Sequence, residues 1–149
     1  MLAKTHIAIG FFAMIFFLPH VANKLVFIPV ILIASILPDI DSGFSTLGKN
    51  GVFRILQLFT KHRGLLHSLS FCIIVSVLFA LYFPVVAFPF FLGYALHLLA
   101  DAWTVEGIRP FWPLKEISQG KIKVGGVVEQ AVFFIFVVLD VIFLIFLFI

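Results

Sequence analysis

Residues 127–149 read VVEQAVFFIFVVLDVIFLIFLFI, 23 residues with two acids and no base. About 20 apolar residues are what a helix needs to cross a hydrocarbon layer ~30 Å thick. Four more apolar runs precede it, at 5–21, 25–38, 65–83 and 85–103. The chain is 63% hydrophobic and 11% charged, with a mean hydropathy of +1.25. A soluble domain carries about 25% charged residues. Phe alone occurs 21 times, more apolar surface than a soluble fold of this size can hide. The expected fold is therefore all-α: a polytopic membrane helix bundle of about five transmembrane helices, forming a single domain over 1–149. The start, MLAKTHIAIGFFAMIFFLPH, has a thin basic region and no small-x-small cleavage site, so it reads as a retained first helix.

Two polar loops interrupt the runs, at 39–64 and 104–126. With five spans, the N-terminus and both loops share one side of the membrane. That side holds Lys4, Lys49, Arg54, Lys61, Arg63, Arg109, Lys115, Lys121 and Lys123, nine of the ten basic residues; Lys24 stands opposite. The positive-inside rule makes that side cytoplasmic and the protein a multi-pass cytoplasmic-membrane protein. No Lys/Arg run with interleaved aromatics suggests a nucleic-acid partner. Cys72, the single cysteine, lies in an apolar run and forms no internal disulfide. Run 25–38 has 14 residues, about 21 Å as a helix. It must therefore tilt, thin the bilayer or end below its surface, so Asp39 and Asp41 at its end are expected to sit sunken rather than in open water.

The polar residues gather at the same level. His6 opens the first run, Asp39 and Asp41 close the second, and His62 and His67 flank the start of the third. His97 and Asp101 fall in the last turns of the fourth, four residues apart and on one helix face. Glu129 opens the fifth. Imidazole and carboxylate are ligands of Zn, Mn and Fe. A cluster of carboxylates without a cation would repel itself and lose much solvation. His6, Asp41, His62, His67, His97, Asp101 and Glu129 are thus candidate ligands of one or two divalent metals, zinc first, with Mn or Fe also suited. His67 is expected on the third helix; His62 can be a ligand or a proton shuttle. Asp39 or Glu129 can orient a water as base, and Arg63 can bind a phosphate oxygen or a lipid headgroup. His20, beside Lys24, and Asp140, inside the fifth run, stand apart.

At these residues the chain resembles a known family. THIAIG, LPDID, HRGLLHSL, GYALHLLADAWTVEGIRPFWPL and GGVVEQ follow in the order of the YdjM-type membrane-bound metal-dependent hydrolases. More distantly, the order Asp, His, then His-x-x-x-Asp is similar to the zinc-dependent phospholipase C and P1 nuclease superfamily, which is helical and holds up to three zinc ions. That resemblance implies one metal on Asp41, His67, His97 and Asp101. It implies a second helped by His6 with Asp101 bridging, and Glu129 as the late glutamate ligand. That superfamily has a histidine four residues before the late glutamate; here the position is Gly125. One or two metals is the resulting expectation. The implied function is hydrolysis of a phosphoester bond in a phospholipid or lipid-linked substrate, with the lipid bilayer as partner. A metal-ion or proton transporter, and a non-catalytic membrane protein with a structural metal, use the same residue types. The sequence leaves these three open, and leaves the oligomeric state open.

Overall fold

A computed structural model describes residues 1–41 and 64–149, without the side chains of residues 40, 41 and 148. Among the described residues there are five α-helices and no strand: α1 (Ala3–Phe17), α2 (Lys24–Ala34), α3 (Leu69–Tyr82), α4 (Pro84–Ala102) and α5 (Val127–Phe148). Short 3-10 turns extend α1 over Leu18–His20, follow α2 over Leu37–Asp41 and precede α3 over Leu65–His67.

Among the described residues, three stretches are long and apolar enough to cross a membrane: Ala3–His20, Pro84–Ala102 and Val127–Leu147. The other two helices are apolar but short. At 11 and 14 residues they extend about 17 and 21 Å. The expected short second helix is present, and the third is short as well. The third run loses its first turn to a cap. Ser68 Oγ accepts from Phe71 N at 3.2 Å and donates to the Leu65 carbonyl at 2.6 Å, so α3 begins at Leu69. His67 therefore lies on the turn before α3 and not on the helix where the spacing predicts it. Asp39 and His67 both sit on irregular backbone at the ends of short helices, the level at which a polar cluster can form.

Helix α4 packs on α2 and α3, while α1 packs on α5 and α2 and touches α4. One core is built on Tyr94, Leu98 and Phe90 of α4 with Ala34 and Cys72. A second joins Ala13 and Met14 of α1 to Phe27 and Ile31 of α2. The outer faces are apolar too. Ile74, Leu81, Phe134, Ile135 and Val138 are all exposed. Contiguous apolar exposure of this extent needs lipid as its solvent.

The 103–126 connection is tied by single bridges, Thr104 to Ile122 and Ile108 to Ser118. It leaves Trp103, Phe111, Trp112 and Leu114 exposed among Arg109, Lys115, Lys121 and Lys123, the composition of a membrane–water interface. The chain has only two tryptophans, and both lie here, so tryptophan fluorescence, excited beyond the tyrosine band, reports this loop alone. Lipids brominated near the headgroup should quench it more strongly than lipids brominated at the chain end. No quenching by either would take the loop off the membrane surface.

Candidate metal centre

His97 and Asp101 occupy one face of the last turns of α4 and are each 1% exposed. One turn earlier on that face is Gly93. A Cβ at this position would lie 2.4 Å from the Ile31 carbonyl oxygen, so only glycine lets α4 close on α2 this tightly. At that approach His97 Nδ1 is 2.8 Å from the Ser35 carbonyl oxygen. A carbonyl only accepts, so Nδ1 carries the proton. In the neutral imidazole Nε2 then keeps its lone pair. Nε2 is buried with no hydrogen-bond partner. It faces Asp39 Oδ1 at 3.8 Å and Asp101 Oδ2 at 3.9 Å.

The other two members come from the irregular turns. His67 Nε2 lies 3.7 Å from Asp39 Oδ1 and 3.6 Å from Asp101 Oδ2. Tyr94, fully buried, donates its hydroxyl to the Leu66 carbonyl at 2.5 Å and so ties the His67 turn to α4. Burial by itself would raise the Asp39 carboxyl. The hydrogen bond from His67 and, when they are protonated, the charges of the His97 and His6 rings outweigh that and hold it below the ordinary carboxylate value. One ligand-type atom from each of Asp39, His67, His97 and Asp101 lies within 4.8 Å of all the others. Metal bonds of about 2.0–2.2 Å put the donors of a tetrahedral ion about 3.3–3.6 Å apart; the imidazole–carboxylate pairs, at 3.6–3.9 Å, are already close to that, and the widest pair must draw in by about an ångström. Lone pairs of a neutral imidazole and two carboxylates that face each other repel, and a cation between them removes that repulsion. Donor types, spacing and the His97 tautomer therefore all fit a divalent metal.

His6, from α1, flanks this group. Its ring stacks on His97 with centroids 3.7 Å apart and planes 14° apart. Its Nε2 is 3.2 Å from Asp101 Oδ1, an oxygen that also receives the Met1 amine. Glu129 does not join the four. Its Oε1 accepts from Leu2 N at 2.5 Å and Thr5 Oγ1 at 3.0 Å, and its Oε2 accepts from Gly125 N at 2.6 Å. The carboxylate clamps the start of α5 to the start of α1, the helix that carries His6. Glu129→Gln places an amide N–H against one of these donors and should cost about 1–3 kcal/mol. Thermal unfolding in detergent checks this; an unchanged melting temperature would make the clamp irrelevant to stability.

The structure thus brings together five residues singled out from sequence: His6, Asp39, His67, His97 and Asp101. It places Glu129 beside them and Asp140 apart, deep in α5. His62, Arg63 and the Asp41 side chain lie outside the described residues. Two positioning groups escaped the sequence reading. Tyr94 carried a signal, because it lies three residues before His97 and a hydroxyl in an apolar span needs a partner. The Ser35 carbonyl carried none, since every residue has one.

Membrane-length helices that hold a buried His–Asp cluster at one end define a polytopic membrane protein with a candidate metal centre. The chain belongs to the YdjM inner membrane protein family, which it matches over residues 1–148. It is also similar to the Bacillus subtilis (strain 168) protein described as uncharacterized protein YvsG, 32% identical over 96 residues. That alignment covers 58% of this chain and 60% of that protein, under two thirds of its length. No solved structure matches the chain.

Proposed function

We propose that the chain is a membrane-bound metal-dependent hydrolase of phosphoester bonds, acting on a lipid or lipid-linked substrate at the cytoplasmic face. The observation that carries this reading is His97: its Nδ1 is spent on the Ser35 carbonyl, and its Nε2 is aimed, without a hydrogen-bond partner, between Asp39 and Asp101. Asp39, His67, His97 and Asp101 would hold one divalent ion, zinc or, with the same donors, Mn or Fe. His6, whose Nε2 is 3.2 Å from Asp101 Oδ1, would help hold a second ion. A cation held there supplies activation of water and polarisation of a phosphoryl oxygen at neutral pH. Asp39, 14% exposed, is the member of the four nearest to solvent and the one able to shift between ligand and proton acceptor. Asp41, His62 and Arg63 belong to the same polar segment; Arg63 suits the charge of a phosphate. Glu129 enters as the group that orients α1, and as a base only if its clamp opens. The cytoplasmic placement rests on the basic residues of the two loops.

One observation favours a second reading. Four protein donors fill a tetrahedral shell, and closed shells are structural while open ones are catalytic. Here the metal would tie α2, α3 and α4 together without turnover. Metal analysis of purified wild type and His97→Ala, followed by assays against phosphodiesters and phospholipids, separates the two. Bound metal in wild type, lost in the variant together with phosphoester turnover, supports the hydrolase. Bound metal with no turnover on any substrate supports the structural role, and no metal in wild type overturns both.

A further inference from the structure

An apolar pocket of about 290 Å³ lies between three membrane helices. It is lined by Ile9, Ala13 and Phe16 of α1, Leu92 and Leu96 of α4, and Phe136 of α5. That volume is just under the ~300–1,000 Å³ usual for sites that take a whole small molecule. Phe16 is 46% exposed, so the pocket communicates with the outer surface of the bundle, which is lipid in a membrane.

Each lining helix leads from the pocket to the polar cluster. On α1, His6, Ile9, Ala13 and Phe16 follow at spacings of three, four and three, a single stripe. On α4, Leu96 adjoins His97 and Leu92 is a turn further away. On α5, Phe136 lies seven residues, two turns, beyond Glu129, on the same face. The stripe from Ile9 to Phe16 is about 10 Å long. An aqueous substrate gains nothing from such a wall, whereas a hydrocarbon chain entering sideways from the bilayer fills it and carries its headgroup toward His6 and His97.

We propose that this pocket binds one hydrocarbon chain of a membrane lipid, with its phosphate-bearing head directed at the His–Asp cluster. The head's orientation rests on the metal reading above; the seating of the chain does not. The assay uses nanodiscs of phosphatidylcholine with a trace of phosphatidic acid that bears a nitroxide on its chain. Wild type should show an immobilised spin component. Ala13→Phe, which fills the pocket, should abolish it, and Leu81→Phe, on the exposed face of α3, should keep it. Leu92→Phe fills the same space from α4 and replaces Ala13→Phe if that variant does not fold. No immobilised component in wild type, or an equal one in all variants, means ordinary boundary lipid and overturns the proposal. With Mn²⁺ added, a nitroxide near the headgroup should broaden more than one at the chain end; equal broadening overturns the orientation. If the protein binds no Mn²⁺, zinc or iron, the metal reading fails, and the chain-immobilisation result still decides the pocket.

Discussion

Asp101→Asn should strip the metal from the purified protein. Asp101 is the centre of the cluster. One oxygen faces His6 and the Met1 amine, and the other faces His67 at 3.6 Å and His97 at 3.9 Å. Asparagine keeps the shape and removes the charge, so packing survives and the anion does not. Loss of a mere supporting partner lowers metal affinity about 10–100-fold, and a directly coordinating carboxylate should cost more than that. The expected result is metal content near zero after dialysis, with helical circular dichroism unchanged and phosphoester turnover lost. A variant that keeps its full metal complement would remove Asp101 from the site. Because 1% of the side chain is exposed, little solvent is available to replace the lost charge.

The second large effect is expected at a residue that carries no ligand atom of its own. In Gly93→Ala the new methyl would sit 2.4 Å from the Ile31 carbonyl, 3.0 Å from Ala34 Cβ and 3.1 Å from Ser35 N. The first and last of these are backbone, which cannot rotate away, so α4 must retreat from α2. Overpacking costs about 1–3 kcal/mol, and a backbone obstacle puts this case at about 3. The retreat also lengthens the 2.8 Å contact between His97 Nδ1 and Ser35 O, which frees the imidazole to change tautomer. Both a lower melting temperature and weaker metal binding are therefore expected. Leu99→Ala on the same helix, at a side chain 54% exposed, is the control and should do neither. A Gly93→Ala protein with wild-type stability would show that the two helices are not held by this contact.

Hydropathy is a local property, and what depended on it was legible. The five apolar segments, the short second helix and the pairing of His97 with Asp101 at the end of α4 followed from run length and the 3.6-residue period. Capping chemistry was less visible. Ser68 ended the turn and began the helix, and this moved His67 off α3. The division of labour among the acids was not legible at all. Asp39 reaches the cluster from a short turn after α2, and Glu129 has the residue type of a ligand yet spends both oxygens on Leu2, Thr5 and Gly125.

By itself, the sequence determined that this protein lives in a bilayer, that its apolar runs form helices, and that several histidines and acids lie at the ends of those runs. Charge and apolarity act through solvent, and solvent preference is written residue by residue. Only the tertiary structure decided which of those side chains meet. Asp39, His67, His97 and Asp101 are joined by the approach of α4 to α2 at Gly93, by the Tyr94 bond to the His67 turn and by the Ser35 carbonyl that aims His97. Those contacts link positions tens of residues apart, and their distances are set by helix packing rather than by any local pattern along the chain.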